Sequence, residues 1–126
     1  MSEKDGRGNP EMPDVDVSSA VDVESDDSLF CRACGAAVTA DRHSISVNSD
    51  HHHTFFNPAG IVFEIRCFRQ AAGTIILGDP TTDFTWFRGY SWQYCLCAHC
   101  LVHVGWYFGS AEDGFYGLIE SKLLRG

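Results

Sequence analysis

The sequence predicts an all-β, antiparallel fold. Three observations carry this: short runs of β-branched and aromatic residues that alternate between two faces, turn signals between the runs, and no helical periodicity beyond residues 119–124. The runs amount to roughly seven or eight strands, a usual size for a small β domain. Residues 44–48 alternate, with Ile45 and Val47 on one face. The clearest strand is 61–68, IVFEIRCF, with Ile61, Phe63, Ile65 and Cys67 on one side and Glu64 and Arg66 on the other. Residues 74–77 follow Ala72-Gly73 and are closed by Gly78-Asp79-Pro80. Further strands are expected at 83–87, 90–96, 101–108 and 114–119.

Charge divides the chain in two. The first 30 of 126 residues hold nine acidic side chains against Lys4 and Arg7, a net charge of −7 out of the total of −8. Their only aromatic residue is Phe30, so residues 1–30 read as a disordered acidic tail that cannot offset its ordering entropy by burial. Residues 31–126 are left nearly neutral, with fifteen of the sixteen aromatic residues, and form the expected folded domain. No basic stripe is present to neutralise phosphates, which excludes a nucleic-acid binder of that kind. No apolar run reaches the ~20 residues of a membrane span, and the N-terminus lacks the apolar core of an export signal. A cytoplasmic, reducing setting is therefore expected, in which six cysteines favour metal over disulfides.

Cys31-x-x-Cys34 and Cys97-x-x-Cys100 are two knuckles of metal-ligand spacing. Each turns tightly enough to offer both thiolates to one ion, and Gly35 suits a turn that needs positive φ. Four thiolates complete a tetrahedral zinc shell with no open position, so the ion is expected to be structural. Cys67 and Cys95 read as buried apolar residues. His43, His99 and His103 are not required as ligands, and His51-His52-His53 reads as a solvated loop.

The stretch FTWFRGYSWQYCLCAHC, residues 84–100, places Trp86 and Trp92 on either side of a turn at Arg88-Gly89-Tyr90 and runs into the second knuckle. Alternation puts Phe84 with Trp86, and Trp106 with Phe108. Spacing alone leaves two readings open: a packed core, or a pocket walled by three indoles. Such a pocket suits a methylated ammonium drawn to the ring faces, or a small ring whose apolar edge packs on the indoles while backbone groups bind its polar edge.

Several of these motifs together, Cys31-x-x-Cys34, Asn57-Pro58-x-Gly60, Phe84-x-Trp86-Phe87-x-Gly89-Tyr90-x-Trp92, Cys97-x-x-Cys100 and His103-Val104-Gly105-Trp106-x-Phe108, resemble the CULT domain, the thalidomide-binding domain of the cereblon family. The resemblance runs from Cys31 to about Leu124, and the lone domain behind a short tail is similar to the family's single-domain bacterial members. It implies a β-tent, two antiparallel sheets pinned at one end by the four-cysteine zinc site. It implies a cage of Trp86, Trp92 and Trp106 with Phe108 as a further wall, and ligands that are cyclic imides (glutarimide of thalidomide type, C-terminal cyclic imides) or uracil-like rings. Backbone groups at Phe84 and Trp86 would meet the imide edge, and Asn57 would sit at the rim.

Two positions depart from animal members of the family, which carry histidine at the positions of Phe84 and Ala59. The family's Lon-like domain and its segment for docking the ubiquitin-ligase adaptor have no counterpart in these 126 residues, so ligase function is not expected to transfer. The expected function is a non-enzymatic small-molecule binding module. The alternatives are a methyl-lysine or choline reader built on the same cage, and a methionine sulfoxide reductase of the B type using Cys67.

Overall fold

A computed structural model describes residues 26–125, and it is built from two antiparallel sheets with no α-helix among the described residues. Nine strands follow in order: β1 Ser28–Cys31, β2 Ala37–Ala40, β3 His52–Phe56, β4 Val62–Phe68, β5 Thr74–Thr81, β6 Ser91–Cys97, β7 His103–Gly109, β8 Gly114–Ile119 and β9 Leu123–Arg125. The smaller sheet has the order β2-β1-β9 and the larger β3-β4-β8-β7-β6-β5. The larger sheet therefore has β3 and β5 as its edges.

Alternation places the core as the sequence suggests. Ile65 and Cys67 point inward from β4 and are fully buried, while Glu64 stands exposed on the opposite face. Two apolar clusters result. One, with Leu29, Val38, Phe68, Val104 and Leu118, fills the space at the cysteine end; the other, with Ile65, Phe87, Phe108, Phe115 and Ile119, packs beneath the tryptophans. Gly105 sets the distance between β7 and β8, since a Cβ there would lie 2.3 Å from the carbonyl oxygen of Gly117.

Several elements differ from the sequence reading. Residues 44–48 form no strand; only isolated bridges, Ser44 to Phe68 and Val47 to Asp50, occur there. Residues 83–87 are turns, because Phe84 adopts a φ of 58°, which a strand cannot accommodate. β5 runs on through Gly78-Asp79-Pro80 to Thr81, an edge position where proline's missing N–H costs no ladder bond, with an irregular register against β6. The end of the chain forms a short 3-10 turn, Glu120–Lys122, followed by β9. His52 and His53 belong to β3, which pairs with β4, so the histidine run is not a loop. His51 Nδ1 and His53 Nε2 each lie 3.0 Å from a backbone carbonyl, those of Ile45 and Val47, and as carbonyls only accept, the ring nitrogens donate.

The folded unit also begins ahead of Cys31. Ser28, Leu29 and Phe30 lie in β1, and the Arg42 guanidinium donates to Asp27 Oδ1 at 2.6 Å. The remainder of the segment read as an acidic tail, residues 1–25, lies outside the described residues.

Candidate functional site

The two knuckles are built alike. In the first, the amide of Gly35 donates to the carbonyl of Cys31 at 2.8 Å and that of Cys31 to the carbonyl of Ala36 at 2.8 Å. In the second, Leu101 donates to Cys97 at 2.8 Å and Cys97 to Val102 at 2.9 Å. The fifth residue of each turn is left-handed, Gly35 with φ 83° and Leu101 with φ 66°, so the second knuckle places a branched side chain where the first uses glycine.

The four thiol sulfurs converge to within 4.8 Å of one another. Cys31 Sγ is 3.8 Å from Cys100 Sγ, and Cys34 Sγ is 3.7 Å from Cys97 Sγ. These separations exclude disulfides, and they match the edge of about 3.8 Å that a tetrahedron with metal–sulfur bonds of ~2.3 Å requires. The amide of Ala36 points at Cys34 Sγ at 3.5 Å, a contact that favours the thiolate. Since Cys31 ends β1 and Cys97 ends β6, the cluster joins the smaller sheet to the larger.

The other two cysteines are unlike these. Both are fully buried; burial pushes the Cys67 thiol up to about 12 and the Cys95 thiol up to about 11. Neither carries a thiolate near neutral pH.

A pocket of about 350 Å³ opens on the larger sheet, and Asn57, Phe84, Trp86, Trp92, Trp106 and Phe108 all line it. Trp106 from β7 is 8 % exposed and meets Trp86 edge to face at 4.8 Å between ring centroids. Phe55 of β3 stacks on the other side of Trp86 at 4.9 Å and an interplanar angle of 7°. Trp92 on β6 stands opposite Phe108 on β7. The choice between core and pocket thus resolves as both: Trp106 and Phe108 belong to the buried cluster, and Trp86 and Trp92 pack on it while walling an open space.

Two indoles are fixed by their polar ends. Trp86 Nε1 donates to the carbonyl of Phe56 at 2.9 Å, and Trp92 Nε1 to the carbonyl of Asp83 at 2.7 Å. The first bond ties the β3–β4 hairpin to the turn at 83–87, and the second holds that turn against β6. Within the turn, no hydrogen bond among the described residues uses the backbone N–H or C=O of Phe84 or Trp86. Phe84 combines a positive φ with a side chain 76 % exposed, a strained placement of the sort that accumulates at binding sites. Asn57 Oδ1 accepts the amide of Ile61 at 2.9 Å, and its side-chain NH2 makes no hydrogen bond among the described residues.

Four further residues line the pocket: Pro58, Phe63, Tyr94 and His103. Phe63 and Tyr94 follow from strict alternation along β4 and β6, Tyr94 being two residues beyond Trp92. His103 does not. The β6–β7 register slips so that Cys95 faces Gly105 while Leu96 faces His103, and this bulge swings the imidazole onto the pocket side, 4.9 Å from Trp106. His103 Nε2 lies 2.8 Å from the carbonyl of Gly105 and must donate to it, leaving Nδ1 unprotonated in the neutral ring. Burial pulls this imidazole below its ordinary 6.5, outweighing the Gly105 bond that favours its charged form. No carboxylate lines the pocket among the described residues.

A fold of two β sheets pinned by a four-thiolate cluster, with an aromatic-walled pocket on the larger sheet, defines a cysteine-stapled β module. No family model matches the chain. It is similar to curated cereblon proteins: 31 % identical over 106 residues to that of Drosophila persimilis, covering 78 % of this chain, and 33 % identical over 112 residues to that of Drosophila erecta, covering 81 %. The cereblon of Drosophila melanogaster matches at 31 % over 106 residues. The chain thus carries a cereblon-type domain. It spans only 17–19 % of the length of these relatives.

Proposed function

We propose that the pocket binds the polar edge of a small cyclic imide or a uracil-like ring, and that the domain acts as a non-enzymatic recognition module stapled by a structural zinc ion. One observation carries this reading: three indoles surround a space whose backbone edge, at Phe84 and Trp86, has no partner among the described residues. An imide presents one N–H between two carbonyls. A backbone C=O and N–H held at fixed spacing complement that edge without a side-chain entropy cost, and the ring methylenes pack on the indoles. Asn57 contributes its side-chain NH2 at the rim.

Among the described residues no carboxylate lines the pocket, which disfavours a methylammonium ligand, because the ring faces alone would have to compensate a desolvated cation. Cys67, sealed in the core, is unsuited to sulfoxide reduction. Cys31, Cys34, Cys97 and Cys100 would hold the zinc, which supplies a cross-link between the sheets and no chemistry at the ring. Six cysteines, none of them in a disulfide, suit a reducing compartment such as the cytosol.

A ring of about eight heavy atoms has a ceiling of roughly 12 kcal/mol, near nanomolar, and the ~8 kcal/mol of micromolar binding, expected for glutarimide, lies well inside it. Calorimetry of the zinc-loaded protein with glutarimide and with thalidomide tests the proposal. Saturable 1:1 binding that Trp92→Ala weakens by at least ~10-fold supports it; no heat with either ligand, or an unaffected Trp92→Ala, overturns it.

A further inference from the structure

On the face of the larger sheet opposite the pocket, β3, β4 and the 3-10 turn that follows β8 bring together a second set of metal-ligating atoms. His52 Nε2 lies 3.1 Å from Glu64 Oε1 and 3.3 Å from Glu120 Oε1, and one ligand atom from each residue falls within 4.8 Å of the others. The sheet itself imposes this grouping. His52 and Thr54 share the outward face of β3, Thr54 pairs with Glu64, and Glu120 comes one residue past the Ile65–Ile119 pair of β4 and β8. The carboxylate of Glu64 on β4 and that of Glu120, first residue of the 3-10 turn after β8, thereby converge on one imidazole nitrogen of the edge strand.

We infer that His52, Glu64 and Glu120 form a second metal site, for a borderline divalent ion of the zinc type. An imidazole nitrogen with two carboxylate oxygens is a donor set such ions accept. With metal–ligand bonds of ~2.0–2.1 Å, a tetrahedral shell has edges of about 3.3 Å, and the two His–Glu separations already have this value. Three protein ligands leave the fourth position to solvent. The groove beside the cluster, about 500 Å³, is lined by both glutamates against one cation, Lys122, among the described residues. A metal here would tie edge strand β3 to β4 and to the end of β8. β3 carries Phe55 and the Phe56 carbonyl, the two contacts that orient Trp86 from behind.

The test uses the full chain with its four-thiolate cluster already loaded, titrated with additional Zn²⁺ by calorimetry. One further equivalent in the micromolar range is expected, weakened at least about 10-fold in His52→Ala and in Glu120→Gln, with the imidazole NMR signals of His52 shifting more than those of His51 or His53. If a variant does not fold, the NMR shifts of the parent protein decide alone. No uptake tighter than about millimolar, uptake unchanged in both variants, or shifts confined to other histidines would overturn the inference.

Discussion

Trp92 illustrates how one side chain serves two purposes here. Its ring walls the pocket and its N–H, donated to Asp83, holds the turn that carries Phe84. Trp92→Phe keeps an aromatic wall but leaves that carbonyl unbonded, at about 1 kcal/mol, so glutarimide binding is expected to weaken about 5-fold while the fold persists, as calorimetry beside circular dichroism would show. His103 makes a pH prediction. Its folded ring binds a proton more weakly than the unfolded one, so below about pH 6.5 the unfolded state takes up more protons and stability falls. Above that pH both states are neutral and the effect vanishes. Urea unfolding of the zinc-loaded protein at pH 7.5 and 5.5 is expected to show a smaller loss for His103→Gln than for the parent. Alternation made the shared face of Trp106 and Phe108 legible in the sequence, and the same rule, carried two residues past Trp92, would have found Tyr94. It could not reveal His103, because a bulge is a two-strand event that no single strand's pattern records.

At the scale of elements, the two knuckles invite direct comparison. Both close with the same pair of backbone hydrogen bonds, yet Gly35 and Leu101 occupy equivalent left-handed positions. A non-glycine residue there costs about 1–2 kcal/mol, offset in part by the unfolded-state freedom glycine adds. Leu101 is exposed, so Leu101→Gly loses little packing and is expected to raise stability by about 0.5–1 kcal/mol, measured by urea denaturation of the zinc-loaded protein. Strands with a marked two-residue alternation, β4, β6 and β7, were readable from the sequence. β3 was hidden because its outward residues, His52, Thr54 and the exposed Phe56, do not contrast in polarity with its inward residues, where His53 stacks on Phe55. The expected strand at 83–87 failed for the opposite reason: its residues have strand propensity, but the chain there breaks to bring Phe84 and Trp86 to the pocket rim.

Across the whole molecule, two of the ties between the sheets join side chains far apart in the sequence. The four-thiolate cluster joins β1 to β6, and Asp41 joins β4 to β9 by accepting Arg66 at 2.7 Å together with Arg125. The bond from Arg125, followed by that from Arg66, holds the Asp41 carboxyl below its ordinary 3.8, so this link is fully present above about pH 4 and is lost as pH falls below it. Stripping zinc with a chelator at neutral pH is expected to abolish ligand binding and cooperative unfolding together, and restoring zinc to recover both, followed by tryptophan fluorescence. The paired Cys-x-x-Cys spacing made this cluster legible at once, whereas the Asp41 link joins residues 84 positions apart and leaves no local pattern. In the proposed binding mode, a backbone edge at Phe84 and Trp86 reads an imide N–H between two carbonyls, and methylating that nitrogen removes the donor. Calorimetry of the zinc-loaded protein with glutarimide and with N-methylglutarimide is expected to show at least ~10-fold weaker binding of the methylated ring, and equal affinity for the two would rule out this binding mode.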